Sequence, residues 1–138
     1  MILVDTGPLL ALFDPADAWH SRSVATLKKF TAPLVTTVPV LTEAFHLLTP
    51  ASIGAHALME FMDGGGMSVF YMGDDSLPRA FELMYQYADH EMDFADASLV
   101  LAAERLRTRR VFSVARKDFA TYRIKRGHRL LAFEVVGP

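Results

Sequence analysis

The sequence predicts an α/β domain built on a largely parallel sheet. Short apolar runs rich in Val, Ile, Leu and Phe recur along the chain, and longer segments of helical period stand between them. Hydrophobic residues make up 51% of the 138 positions, enough for a single domain with a sizeable core. No internal repeat, low-complexity tract or long linker divides residues 1–138.

The first strand is expected over Ile2–Val4, where Asp5 cuts the apolar run. A helix follows over Pro8–Phe13, because proline suits an early helical position, where its missing N–H costs nothing. A second helix, Ala18–Phe30, leads to a strand at Leu34–Thr36, and Pro39 opens a helix over Pro39–Leu48 on the same grounds. The helix Ile53–Met62 runs into Asp63-Gly64-Gly65-Gly66, which reads as a turn; no helix opening on Lys-Ser/Thr follows it, so a phosphate cradle is set aside. Beyond it come a strand over Met67–Met72, helices over Leu77–Ala88 and Phe94–Arg107, and strands over Val111–Val114 and Leu130–Val135.

Composition removes several kinds of chemistry. There is no cysteine, which excludes a disulfide framework, a thiolate metal site and a cysteine nucleophile, and suits a reducing cytoplasm. The opening MILV lacks a cationic leader and the apolar stretch Ala97–Ala103 is far too short to span a bilayer, so neither export nor membrane anchoring is expected. The five histidines show no H-x-x-x-H spacing and read as surface or structural residues. A net charge of −2 conceals a division: residues 1–104 hold 4 Lys/Arg against 14 Asp/Glu, whereas residues 105–138 hold 10 against 2. The basic tail is a footprint for a polyanion or, more plainly, a solvated face.

The stretch MDFADASLVLAAERL, residues 92–106, sets two carboxylates, Asp93 and Asp96, at the mouth of a helix that is oily almost all the way round. Charge beside Phe94, Leu99 and Val100 is costly unless something compensates it. Three residues apart, the two acids share a helix face, and the arrangement is also that of reciprocal N-terminal capping. Asp5, at the end of the first strand, lies where open α/β sheets bind ligands, although it also suits a turn before Pro8. Glu43 sits in VPVLTEAFHLL among apolar neighbours. Capping does not explain why a strand end, a helix interior and a helix start should all offer oxygen. Carboxylates gathered without cysteine or paired histidine make a site for a hard cation, Mg²⁺ or Mn²⁺, and a poor one for zinc.

In order and spacing, VDTGPLLALFD with DAWH, VTTVPVLTEAFHLL, YADHEMDFADASLVLAAERL, RVFSVARKDFATYR and GHRLLAF resemble the PIN-domain family, and within it the VapC-type toxin ribonucleases. The likeness runs over nearly the whole chain and is least distinctive between residues 50 and 85. It implies a three-layer α/β/α sandwich with a central, mainly parallel sheet, and Mg²⁺- or Mn²⁺-dependent hydrolysis of RNA that leaves a 5′-phosphate. It also implies a homodimer and a cognate antitoxin encoded alongside. The three principal family acids fall on Asp5, Glu43 and Asp96, as catalytic and metal-holding residues, and Asp93 matches an accessory acid. Thr6 and Ser113 match hydroxyl positions at the edge of the site. In RVFSVARKDF this chain has Ala115 where the family frequently has aspartate, and Asp118, about one turn later, is a further candidate for the edge of the site. A second metal ion loses a ligand by that change.

RNA carries a dense phosphate charge, so basic side chains must draw it toward an acidic site. Arg116, Lys117, Arg123 and Arg126, after the fourth predicted strand, are the candidates. Six of the seven methionines lie between residues 58 and 92, and the mean hydropathy is +0.21, a composition that leaves apolar surface for a dimer mate or an antitoxin helix. The opposing reading is a catalytically weak or inactive PIN-like module that binds RNA or protein, with Ala115 as its support. VDTG faintly suggests an aspartyl-nucleophile phosphatase, but the second aspartate that chemistry requires is Gly7 here.

Overall fold

The computed structural model describes residues 1–138. The chain runs β1 (Ile2–Val4), α1 (Thr6–Phe13), α2 (His20–Lys28), β2 (Leu34–Thr37), α3 (Val38–Leu47), α4 (Ile53–Asp63) and β3 (Ser68–Phe70). It continues through α5 (Leu77–Gln86), α6 (Phe94–Leu106), β4 (Arg110–Phe112), α7 (Arg116–Thr121), β5 (Arg123–Arg126), β6 (Arg129–Ala132) and β7 (Glu134–Val136). Five strands form one sheet in the order β3-β2-β1-β4-β7, with every pairing parallel. Helices pack on it as the expected α/β/α sandwich, and β5 and β6 stand apart as an antiparallel hairpin.

Local chemistry accounts for most boundaries. Asp5 caps α1 by accepting the Thr6 N–H at 2.8 Å, so the helix begins two residues before Pro8. Pro8 still loses no intrahelical bond, because the first four N–H groups of a helix have no partner within it. Thr37 and Ser52 cap α3 and α4 in the same way. The Gly64–Gly66 turn closes α4, with Gly65 at φ 79° and the Gly66 N–H returned to the Phe61 carbonyl at 2.9 Å.

Helix α6 is the axle of the fold. Eight of its residues are buried, among them Leu99, Val100 and Leu101, because it packs on β1, β2 and β5 while α3 and α5 pack on it. Near its end Glu104 receives Arg79 of α5 in two parallel bonds, Nε to Oε1 at 3.0 Å and Nη2 to Oε2 at 2.8 Å. The Lys125 N–H of β5 completes the joint at 2.9 Å, so one carboxylate fastens two helices and the hairpin. No helix is long and apolar enough to cross a membrane.

Two expectations need correction. The apolar run expected as one strand over Leu130–Val135 is two strands in different sheets: Arg129–Ala132 folds back on Arg123–Arg126, and Glu134–Val136 joins β4. Phe133 breaks the run by turning inward, 5.2 Å edge-on from Phe119. The reversal between β5 and β6 occurs at Gly127 and His128, with Gly127 at φ 60°, a conformation glycine adopts without strain. The segments α7 and β5 themselves were not expected; one is six residues long and the other, RIKR, is mostly charged, so neither displays a period.

Candidate active site

β1 and β4 are adjacent and parallel, with Leu3 opposite Val111 and Val4 opposite Phe112. From β1 the sheet extends to β2 and β3, and from β4 it extends the other way to β7. Their carboxyl ends therefore flank a topological switch point, where the connecting segments part and leave a crevice. Asp5 follows β1 and Ser113 follows β4. The Ser113 hydroxyl donates to Asp5 Oδ2 at 2.8 Å, and the Thr6 N–H donates to Oδ1 at 2.8 Å, so each oxygen holds one hydrogen bond. Ser113 Oγ in turn accepts the Ala115 N–H at 2.9 Å.

The start of α6 supplies two further acids. Asp93 Oδ1 accepts the Asp96 N–H at 2.8 Å, and Asp96 Oδ2 accepts the Asp93 N–H at 3.4 Å, which is the reciprocal capping that the spacing suggested. Asp93 is exposed and Asp96 half-buried. The Tyr122 hydroxyl also donates to Asp96 Oδ2, at 3.2 Å.

Glu43 lies half-buried on α3, which is fixed to α6 by a buried relay of hydroxyls. Ser98 gives its only proton to the Ala95 carbonyl at 2.6 Å, so Thr37 must be the donor across the 2.6 Å Thr37–Ser98 contact. Thr37 Oγ1 then accepts the Val40 N–H at 3.4 Å. Between the helices runs an open groove of about 590 Å³, with Thr42, Glu43 and His46 among its lining residues from α3 and Asp93, Phe94 and Ala95 from the α6 side.

The charges in this crevice are poorly compensated. Asp5 is 8% exposed, and burial pushes its carboxyl up to about 6; the Ser113 and Thr6 hydrogen bonds pull the other way, while Glu43 and Asp93 add repulsion. Burial, followed by the charges of Asp93 and Asp5, pushes Asp96 up to about 7. The ion pairs of the molecule join His56 to Glu60 and Arg79 to Glu82 and Glu104, and none reaches the four acids. Thr6 Oγ1, next to Asp5, is buried without a hydrogen-bond partner. Such an all-oxygen donor set fits Mg²⁺ or Mn²⁺ in kind. In the conformation seen here, no three Asp, Glu or His side chains stand close enough together to grip one ion, so Asp5, Glu43 and Asp96 share a field without sharing a ligand position.

The remaining candidates divide. The charge of Asp118 acts on Tyr122. Arg116 and Lys117 are exposed on α7, with Arg116 Nη2 resting on the Gly137 carbonyl at 3.2 Å. Arg123 is tied to the fold by one nitrogen: its Nη1 donates to the carbonyls of Ala120, Thr121 and Tyr122 at 2.7, 3.2 and 2.9 Å. Arg126 is half-buried, with Nη2 sealed from solvent. Ala115 stands at the N-cap of α7 and contributes no side-chain oxygen. Sequence reasoning did not find the part played by Tyr122, whose aromatic character points to the core, where the ring does lie; the available signal was that a buried tyrosine hydroxyl needs a partner. Burial and the charge of Asp96 push that hydroxyl's pKa up, so it keeps its proton and donates.

Comparison with known proteins follows the same lines. No family model matches the chain. It is 28% identical over 124 residues to Ribonuclease VapC26 of Mycobacterium tuberculosis (strain ATCC 25618 / H37Rv), an alignment covering 88% of this chain and 92% of that protein. Its fold matches the crystal structure of Mycobacterium tuberculosis VapC20, a Sarcin-Ricin loop cleaving toxin, with a TM-score of 0.76 at 21% identity, over 86% of this chain and 94% of that one. The resemblance of the ordered motifs to the VapC-type PIN-domain ribonucleases is thus borne out in sequence by one of these proteins and in fold by the other.

Proposed function

We propose that this chain is a cytoplasmic endoribonuclease that hydrolyses RNA phosphodiester bonds with the help of Mg²⁺ or Mn²⁺, and that it is the toxin of a toxin–antitoxin pair. One observation carries the reading: two carboxylates, Asp5 and Asp96, are held largely out of water at a sheet switch point with no cationic side chain to answer them. The likeness to VapC26 and VapC20 supports RNA as the substrate.

Asp5, Glu43 and Asp96 would hold the ion only by drawing closer together than they stand here, with Asp93 acting on it from outside. When bound, the ion supplies Lewis acidity toward the phosphodiester and the attacking water. Ser113 and the Thr6 N–H orient Asp5, and the Thr37–Ser98 relay keeps the helix bearing Glu43 in register with the helix bearing Asp96. Like charges brought close repel one another, which keeps the acids receptive to a cation. Arg116 and Lys117, exposed just beyond Ser113, draw the RNA backbone in, and Arg126 at the hairpin turn contributes less because it is partly sealed.

Partner binding falls on other faces. Ile53 (91% exposed) and Met59 on α4, and Tyr85 (85%) and Phe81 on α5, leave apolar surface that supports a homodimer and docking of an antitoxin helix. A strictly monomeric species at high micromolar concentration would argue against the dimer.

The deciding experiment treats total RNA with purified protein in EDTA and then in excess Mn²⁺ or Mg²⁺. Cleavage only with the cation is expected. Cleavage undiminished in EDTA would remove the metal from the reading. RNA binding without cleavage under any cation would favour the inactive binding module to which Ala115 points.

A further inference from the structure

Resting on the ribonuclease reading, we propose that Tyr122 is a positioning residue of the acid cluster, holding the Asp96 carboxylate in place through its hydroxyl and so making the α7–β5 junction part of the site. Two donors reach the Asp96 side chain, the Asp93 N–H at 3.4 Å and the Tyr122 hydroxyl at 3.2 Å, and both land on Oδ2. The tyrosine is the shorter contact and comes from outside α6. With both donors on Oδ2, the other oxygen of Asp96 carries no hydrogen bond from them.

The donor is fixed because its ring cannot swing. Tyr122 is fully buried, with Tyr87 edge-on at 5.1 Å and 67° and Phe119 edge-on at 5.4 Å and 83°. The backbone before it is fastened as well, since the Tyr122 N–H closes α7 on the Asp118 carbonyl at 3.0 Å. A lysine or arginine at this place would hold Asp96 by cancelling its charge. A hydroxyl holds the same carboxylate and leaves its charge for something else, which is the arrangement found behind metal-binding carboxylates in general. Ala115, at the other end of α7, has no group for that task.

The test is Mn²⁺ binding to the full chain by calorimetry, without RNA, comparing wild type, Tyr122→Phe and Tyr87→Phe. Phenylalanine keeps each ring and deletes one hydroxyl. Tyr122→Phe should melt within a few degrees of wild type and bind Mn²⁺ roughly 10-fold more weakly or worse. Tyr87→Phe keeps the ring against Tyr122 and loses only the bond its hydroxyl accepts from the Arg123 N–H at 3.0 Å, none to Asp96, and should bind Mn²⁺ as wild type does. Wild-type affinity in Tyr122→Phe would overturn the proposal while the ribonuclease reading stood. Equal weakening in both variants would reduce Tyr122 to a packing residue and overturn it too. A wild-type protein that binds no Mn²⁺ would bring down the metal reading and this inference with it.

Discussion

Helix α6 carries an acid near each end, and the fold treats the two in opposite ways. Glu104 receives a guanidinium on both oxygens and a backbone N–H besides, so its charge is answered inside the molecule. Asp96, two turns earlier, receives a tyrosine hydroxyl and a long capping bond, and the charges of Asp93 and Asp5 act against its own. Both sit in one stretch of sequence on one buried helix. The difference teaches that an acid's partners, more than its burial, separate an acid that holds the fold from one available to chemistry.

Exchanging each carboxylate should break that contrast in opposite directions. Asp96→Asn should lower cation-dependent RNA cleavage by roughly 100-fold or more, the scale set by losing direct stabilisation of transition-state charge. The metal-free variant should melt no lower than wild type at neutral pH, since a poorly compensated charge has been removed; a large loss of melting temperature with cleavage retained would reverse the assignment. Glu104→Ala should do the contrary. Arg79, with its side chain only 19% exposed, is left with Glu82 alone, and stability should fall by roughly 2–3 kcal/mol, below the figure for a fully buried pair because this one is partly in water. Urea unfolding measures that loss, and cleavage per folded molecule should survive it.

The pH dependence sharpens the same comparison. Asp5 and Asp96 titrate at about 6 and about 7, above their ordinary value of 3.8, so between those limits the native state holds more protons than the unfolded chain. Their contribution to stability is greatest below about pH 4 and declines as pH rises to about 7. Metal-free protein should therefore lose several degrees of melting temperature over that range, and Mn²⁺ should restore them at neutral pH; a melting temperature indifferent to both would contradict the crowded-acid account. The smallest effect is expected from Lys117→Ala, a roughly two- to fivefold loss of RNA affinity at low ionic strength that fades as salt is added. A loss unchanged by salt would mean that Lys117 acts by shape and not by charge.

Much of this was legible in the sequence because it rests on local rules. β1 announces itself by unbroken apolar content and α6 by the apolar run Leu99–Ala103, and the Asp93–Asp96 spacing foretells the capping that the structure contains. Asp5, Glu43 and Asp96 stand at a strand end, in a helix interior and at a helix start, and it is the likeness to the VapC-type ribonucleases that singles them out from the other acids. What the sequence hid is whatever depends on distant pairing. Nothing in RIKR says that it will pair with RLLA, nor does the run from Leu130 to Val135 reveal that Phe133 will turn it from one sheet into another. Nothing local reveals that Arg123 Nη1 meets three carbonyls of its own chain. Thr37 and Ser98, 61 positions apart, become partners only once α3 and α6 are packed.

The hydrogen bond between Ser113 and Asp5 joins positions 108 residues apart, across two neighbouring strands. A polypeptide emerging from the ribosome presents Asp5 early, and its Oδ2 has no Ser113 hydroxyl to accept from until β4 has been made and lies beside β1. The setting of that first acid is thereby completed late, when a segment from near the far end of the chain docks against the strand that opens it.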